Sequence, residues 1–130
     1  MTTRQNISSG GPWEERIGYS RAVRVGSFVA VAGTTAALPD GTIYGGNDGY
    51  LQAKRCFEII ERALAEAGAT LADVVRTRMF VTDISRSDEF GRAHGEFFRD
   101  IKPAATMVEV SRLLTPEMLI EVEVDAVTAG

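Results

Sequence analysis

The sequence predicts an α+β fold in which two helices lie on one face of a mixed sheet. Two segments have the apolar spacing of amphipathic helices, and several short runs carry the alternation or turn signals of strands. These segments follow one another in the order β-β-α-β-α-β-β, and packing both helices on one side of the sheet is the simplest layered arrangement for them. With 130 residues and no linker-like stretch, residues 1–130 are expected to form a single domain.

The chain begins with a polar arm and a hairpin. Residues 1–16 start with a polar stretch rich in Gly and Ser and are expected to be loosely ordered. The apolar runs 22–25 and 28–32 are then separated by Gly26 and Ser27. A two-residue Gly-X loop between such runs favours a type II′ hairpin, because glycine tolerates the positive φ that this turn requires.

Two helices follow. The longer one is predicted from residue 47 or 48 to residue 67, because one apolar stripe recurs there at helical spacing. The second is predicted over residues 87–100, and Pro103 ends it because a proline disfavours helical geometry in the residue before it. The stripe of the longer helix consists of Ala53, Cys56, Phe57, Ile60, Ala63, Leu64 and Ala67.

The remaining strands complete the sheet, over residues 74–82, 105–112 and 119–127. In the last of them Glu121, Glu123 and Asp125 alternate with apolar residues, which is typical of a half-buried strand with one acidic face. Two helices can cover only one face of such a sheet. A second copy of the same chain is the expected cover for the other face.

Composition excludes several classes of protein. The chain carries 14 basic and 18 acidic side chains, for a net charge of -4, whereas a general nucleic-acid binder needs a basic face. Its single cysteine, Cys56, permits no intrachain disulfide and fits a reducing compartment. No apolar run approaches the length that spans a bilayer, and no signal peptide is recognisable. The expectation is a cytoplasmic protein that binds neither membrane nor nucleic acid.

Few residues could carry chemistry. His94 is the single histidine, and no CxxC, HExxH or phosphate-loop motif is present, so no metal site and no cofactor are expected. The acidic stripe formed by Glu121, Glu123 and Asp125 is either a solvated sheet face or a source of a proton-transferring carboxylate at a subunit cleft. Arg78 either pairs with that stripe across the sheet or binds an anion through its fork of donors.

Several segments of the chain together carry the pattern of one known family. They are residues 24–34, Gln52, residues 67–68, 73–77, 80–83, 102–105, 108–110 and 120–123. In the right order and spacing over roughly residues 17–127, they resemble the RidA/YjgF family. The resemblance implies a chorismate-mutase-like fold and a homotrimer with a small-molecule ligand in each of three intersubunit clefts. The best-understood members hydrolyse reactive enamines or imines to 2-keto acids and ammonia, without metal or organic cofactor.

Position by position, the family's tyrosine corresponds to Tyr19, its glycine to Gly33 and its glutamate to Glu121. The family's Pro-Ala-Arg motif, whose arginine clamps the substrate carboxylate, reads Pro-Ala-Ala here, with Ala105 in place of the arginine. A methyl group cannot make the bidentate contact of a guanidinium, so the substrate should differ from 2-aminoacrylate. The residue two positions after Ala105 is Met107.

Two functions therefore remain open. In one, the clefts hydrolyse a different enamine or imine, with Glu121 and Tyr19 as catalytic residues. The substrate would then contact Gly33, Ala105, Met107, Phe90 and Arg78. In the other, the protein is a non-catalytic trimer that binds a metabolite or acts as a chaperone. Ribonuclease activity, a label carried by some relatives, is not expected of this acidic chain.

Overall fold

The computed structural model describes residues 3–129, so residues 1, 2 and 130 of the predicted domain lie outside the described residues. The strands are β1 (Arg4–Ile7), β2 (Ala22–Val25), β3 (Phe28–Thr34), β4 (Val74–Val81), β5 (Ala104–Glu109) and β6 (Ile120–Val127). The helices are α1 (Pro12–Ile17), α2 (Gly49–Glu66) and α3 (Ser87–Phe98), with short 3₁₀ turns at Leu71–Asp73 and Ile84–Arg86.

The six strands form one mixed sheet in the order β1-β2-β3-β6-β4-β5. Only β4 and β5 pair in parallel, and all other neighbours in this sheet are antiparallel. A parallel pair needs a crossover connection, and α3 supplies it between β4 and β5. The predicted α+β class and mixed sheet are confirmed.

Helices α2 and α3 cover one face of the sheet, and the core lies between these two layers. The buried side of α2 carries Phe57, Ile60 and Leu64, each fully buried, which confirms the predicted stripe. Asp48 caps the helix by accepting a hydrogen bond from the Leu51 amide at 3.0 Å. The predicted hairpin is also present, since β2 and β3 pair around a Gly26 whose φ is +60°.

The expectation of a loose arm over residues 1–16 is wrong for the described part of that segment. Residues 4–7 form β1, which pairs antiparallel with β2 and places Ile7 in the core. Helix α1 then begins at Pro12, a residue suited to the first helical turn, and ends at Gly18, whose φ is +90°. An edge strand is held mainly by backbone hydrogen bonds, so its side chains need not alternate between polar and apolar. The polar side chains of β1 therefore showed no strand pattern in the sequence. Residues 3–129 therefore contain three α-helices rather than the two predicted.

The face of the sheet opposite α2 and α3 is left open by this single chain. Apolar side chains are exposed on it at the hairpin end, where Val25, Phe28 and Val127 are neighbours in register. Further along, the face is polar and carries Glu121, Glu123 and Asp125. Exposed neighbouring apolar groups of this kind are typical of surfaces that bind another protein.

Candidate functional site

Gly33 and Glu121 meet on the open face of the sheet. The pairing of β3 with β6 shifts register between Val31 and Thr34, and Gly33 lies inside this irregularity. A Cβ atom added to Gly33 would overlap Oε2 of Glu121 and lie 3.0 Å from its Cδ. Position 33 therefore needs glycine because the Glu121 carboxyl occupies the space of a side chain.

The Glu121 carboxyl is half-buried and lies in an electrostatically unfavourable place. Burial raises its pKa above the usual value, the nearby charge of Glu123 raises it further, and the charge of Arg21 opposes both effects. Within residues 3–129, no hydrogen bond or ion pair to this carboxyl is formed. A desolvated carboxyl without a protein partner is a candidate for proton transfer.

Tyr19 and Arg21 extend this cluster. They follow α1 directly, because the left-handed turn at Gly18 directs the chain back toward β2. The Arg21 guanidinium lies 5.9 Å from the centre of the Tyr19 ring, and its Nη2 donates a hydrogen bond of 2.6 Å to the Gly33 carbonyl. Tyr19, Arg21, Gly33 and Glu121 thus form one group, which we call the Glu121 cluster.

Arg21 is the member of the cluster that sequence analysis missed. No motif or periodicity singles out an arginine just ahead of β2. The available signal was alternation along the strand. Arg21 directly precedes the buried Ala22 and follows Tyr19 by two residues, so alternation places Arg21 on the open face.

A shallow concavity of about 460 Å³ lies beside the cluster on the same face. Tyr19 lines it, and so does Ala32, which adjoins Gly33. Its remaining polar lining includes Arg4, Asn6, Glu123 and Asp125. Tyr19 is exposed and is the one cluster member in this lining, since Arg21, Gly33 and Glu121 do not line the concavity. A small molecule in the concavity would therefore meet the cluster at Tyr19.

Arg78 lies on the open face but is already paired. It is the cross-strand neighbour of Glu123, and its Nη1 lies 3.4 Å from Glu123 Oε1 and 3.1 Å from Asp125 Oδ2. Of the two interpretations, the geometry favours pairing with the acidic stripe over an anion site. Arg24, a further arginine near the hairpin, donates to the carbonyls of Ala67 and Gly68 at the end of α2.

Ala105 and Met107 lie away from the Glu121 cluster within one chain. In the β4–β5 register they are neighbours of Thr77 and Met79, whose side chains face the helices. Ala105 is nevertheless exposed, because β5 is an edge strand, while Met107 packs partly against the core. A single chain therefore does not bring Ala105 together with Glu121, which belongs to the opposite face.

Phe90 belongs to the core and not to a ligand surface of this chain. It is 1% exposed and would contact a side chain at Gly49, at the start of α2. Its position on the buried side of α3 explains this burial, since Ala93 of the same side is also buried. This corrects the expectation that Phe90 contacts the substrate.

The other candidate groups have structural contacts. His94 Nε2 is hydrogen-bonded to Thr77 Oγ1 at 2.9 Å and its ring packs against Phe57 and Phe98, so burial lowers its pKa. Cys56 is fully buried, which raises the pKa of its thiol. Among residues 3–129, no group of three or more His, Cys, Asp or Glu side chains could hold a metal ion, and no helix is long and apolar enough to cross a membrane.

Comparison with known proteins decides the family. The family model described as endoribonuclease L-PSP matches residues 13–128. The chain belongs to this family. The crystal structure of Rv2704 from Mycobacterium tuberculosis, described as a member of the YjgF/YER057c/UK114 family, superposes on it with a TM-score of 0.89 and 48% identity, covering 97% of this chain and 100% of that one. The predicted RidA/YjgF membership is thereby confirmed.

Two further proteins are similar to this chain over most of their length. The uncharacterized protein SCO2049 of Streptomyces coelicolor is 40% identical over 122 residues, which cover 94% of this chain and 90% of that protein. A RutC family protein of Pyrococcus abyssi is 42% identical over 106 residues, covering 81% of this chain and 82% of that protein. The fold and the family are therefore established for this chain.

Proposed function

We propose that this YjgF-family protein hydrolyses an imine or enamine metabolite to a carbonyl product and ammonia. The observation that carries the proposal is the Glu121 carboxyl, which is half-buried, has a raised pKa and lies against Gly33 without a protein partner. A carboxyl group left desolvated on a strand costs stability, and such a cost is typical of functional sites. The raised pKa of Glu121 is closer to neutral pH, and a general base is most effective when its pKa lies near the working pH.

The chemistry needs only water and a proton carrier. Water adds to the carbon of the C=N bond while the Glu121 carboxylate accepts a proton from that water. The carboxyl passes this proton to the imine nitrogen, which gives a neutral carbinolamine. The carboxylate then takes the proton of the carbinolamine hydroxyl and delivers it to the nitrogen as the C–N bond breaks and the C=O bond forms. The carbonyl product and ammonia leave, with no net change of protons or electrons. Tyr19 would hydrogen-bond the substrate from the exposed side of the cluster.

The catalytic clefts would lie between copies of the chain, in a homotrimer. Two features support this arrangement. Exposed apolar side chains at the hairpin end, such as Phe28, lie on the open face that holds the Glu121 cluster. Ala105 and Met107, which the family resemblance assigns to the same cleft as Glu121, lie on the opposite face of one chain. A cleft that contains both sets of residues requires a second copy.

The test is the hydrolysis of imines generated in place from amino acids by an amino acid oxidase. 2-Iminopropionate and bulkier 2-imino acids would be compared, and ammonia release would be followed at micromolar protein. We expect acceleration over buffer for at least one of these imines. If none of them is hydrolysed faster than in buffer, the proposal is wrong, and the clefts serve metabolite binding without turnover.

A further inference from the structure

Arg21 is a guanidinium whose hydrogen-bonding capacity the chain leaves partly unused. Its Nη2 donates to the Gly33 carbonyl at 2.6 Å, whereas its Nε is buried and has no hydrogen-bond partner among the described residues. Buried N–H groups are nearly always paired, and a buried donor without a partner destabilises the folded protein. The buried Nε is closed to a ligand, but Nη1 forms no hydrogen bond among the described residues and is not buried. Nη1 is therefore the donor that a ligand acceptor would meet.

The charge of Arg21 is also not neutralised by an ion pair. No carboxylate forms a salt bridge with Arg21 in residues 3–129, although its charge lowers the pKa of both Glu121 and Glu14 relative to what burial alone would give. Of the other arginines on the sheet, Arg76 is exposed and forms no ion pair within residues 3–129, whereas two others have partners. Arg78 is paired with Glu123 and Asp125, and Arg24 is bonded to the end of α2.

The position of Arg21 suits a ligand of the Glu121 cluster. Its guanidinium lies 5.9 Å from the centre of the Tyr19 ring, and its hydrogen bond to the Gly33 carbonyl restrains it there. A guanidinium held in this way offers parallel donors to a carboxylate, and little conformational freedom is lost on binding. The same cluster carries the Glu121 carboxyl, which would face the reacting carbon of a bound 2-imino acid.

We propose that Arg21 binds the carboxylate of a small 2-imino or 2-oxo acid, in the role that Ala105 cannot fill. This inference rests on the proposed function of the Glu121 cluster. The carboxylate is then held beside Gly33 and Tyr19 rather than at β5. The substrate retains its acid group but lies in a different orientation from that imposed by an arginine at position 105.

The experiment measures binding, so that it is independent of turnover. Pyruvate and its uncharged amide, pyruvamide, would be titrated calorimetrically into the wild-type protein and into Arg21→Gln. We expect the wild type to bind pyruvate at least about tenfold more tightly than pyruvamide. Arg21→Gln should lose this preference. Arg21→Lys keeps the positive charge but lacks the parallel donors of a guanidinium, so it should show an intermediate preference for pyruvate. It replaces Arg21→Gln in the experiment if the Gln variant fails to fold.

Two further variants separate Arg21 from other arginines. Arg62→Gln, at an exposed ion pair on α2, should bind both compounds as the wild type does. Arg78→Gln tests the competing anion site directly. The proposal is overturned if the wild type does not discriminate between the two compounds, if Arg21→Gln retains the preference, or if only Arg78→Gln loses it. Binding that persists without imine hydrolysis would instead refute the proposed function and leave the role of Arg21 intact.

Discussion

Replacement of Glu121 by Gln is expected to lower kcat/KM for imine hydrolysis by about 100-fold or more, within the range that general acid–base catalysis contributes. Gln fills nearly the same space beside Gly33 but neither accepts a proton from water nor returns it to the leaving nitrogen. The wild type and the variant would be compared by ammonia release under the same conditions. Unchanged kinetics in the variant would remove Glu121 from the mechanism.

The same variant should not lose stability, and this distinguishes a catalytic role from a structural one. Burial raises the pKa of Glu121 in the folded chain above 4.5, so the unfolded chain ionises at lower pH. The folded state is therefore favoured below the unfolded pKa and loses that advantage as the pH rises through the folded pKa. At pH 7, Glu121→Gln should have a Tm equal to or above that of the wild type, and any gain should shrink below pH 4. Glu123→Gln, which removes a carboxylate paired with Arg78, is the matched comparison and should show no such gain.

Replacement of Ala105 by Arg is expected to raise kcat/KM for 2-iminopropionate by about 10- to 100-fold, because a charge-assisted bond to a carboxylate contributes about 1.5–3 kcal/mol. Ala105 is exposed on an edge strand, so a long side chain can be placed there without displacing the core. In a trimer this guanidinium would reach the cleft of a neighbouring Glu121 cluster.

Ala105→Gln is the control for that gain. Gln places a long polar side chain at the same exposed position without the charge or the fork of donors. This variant should leave the kinetics unchanged. Ala105→Arg should also restore the preference for a carboxylate in the Arg21→Gln background. A folded Ala105→Arg protein without increased activity would show that other differences in the cleft outweigh the missing guanidinium.

The sequence predicted those parts of the fold that depend on side-chain periodicity. The stripe of α2 and the Gly26 hairpin were readable because burial and a positive φ select particular residues at fixed spacing. Strand β1 was missed because its stability comes from backbone pairing with β2, which leaves its exposed side chains unconstrained. Local composition does not record a pairing between distant segments.

The site was predictable only in part, for a related reason. Alternation placed Glu121 and Arg78 on one face, but the pairing of Arg78 with Glu123 and Asp125 depends on strand register, which one sequence does not reveal. Phe90 was assigned to the ligand, but it lies on the buried side of α3 beside Ala93. Arg21 becomes a candidate only in three dimensions, where its guanidinium bonds the Gly33 carbonyl and has no ion pair among the described residues.

Each proposed cleft is complete only when copies of the chain associate. Sedimentation equilibrium of the wild-type protein at micromolar concentration measures this association. The predicted mass is three times the 14.1 kDa of the single chain. A species of 14.1 kDa under these conditions would rule out the shared clefts, because one chain alone keeps Ala105 and Glu121 on opposite faces of the sheet.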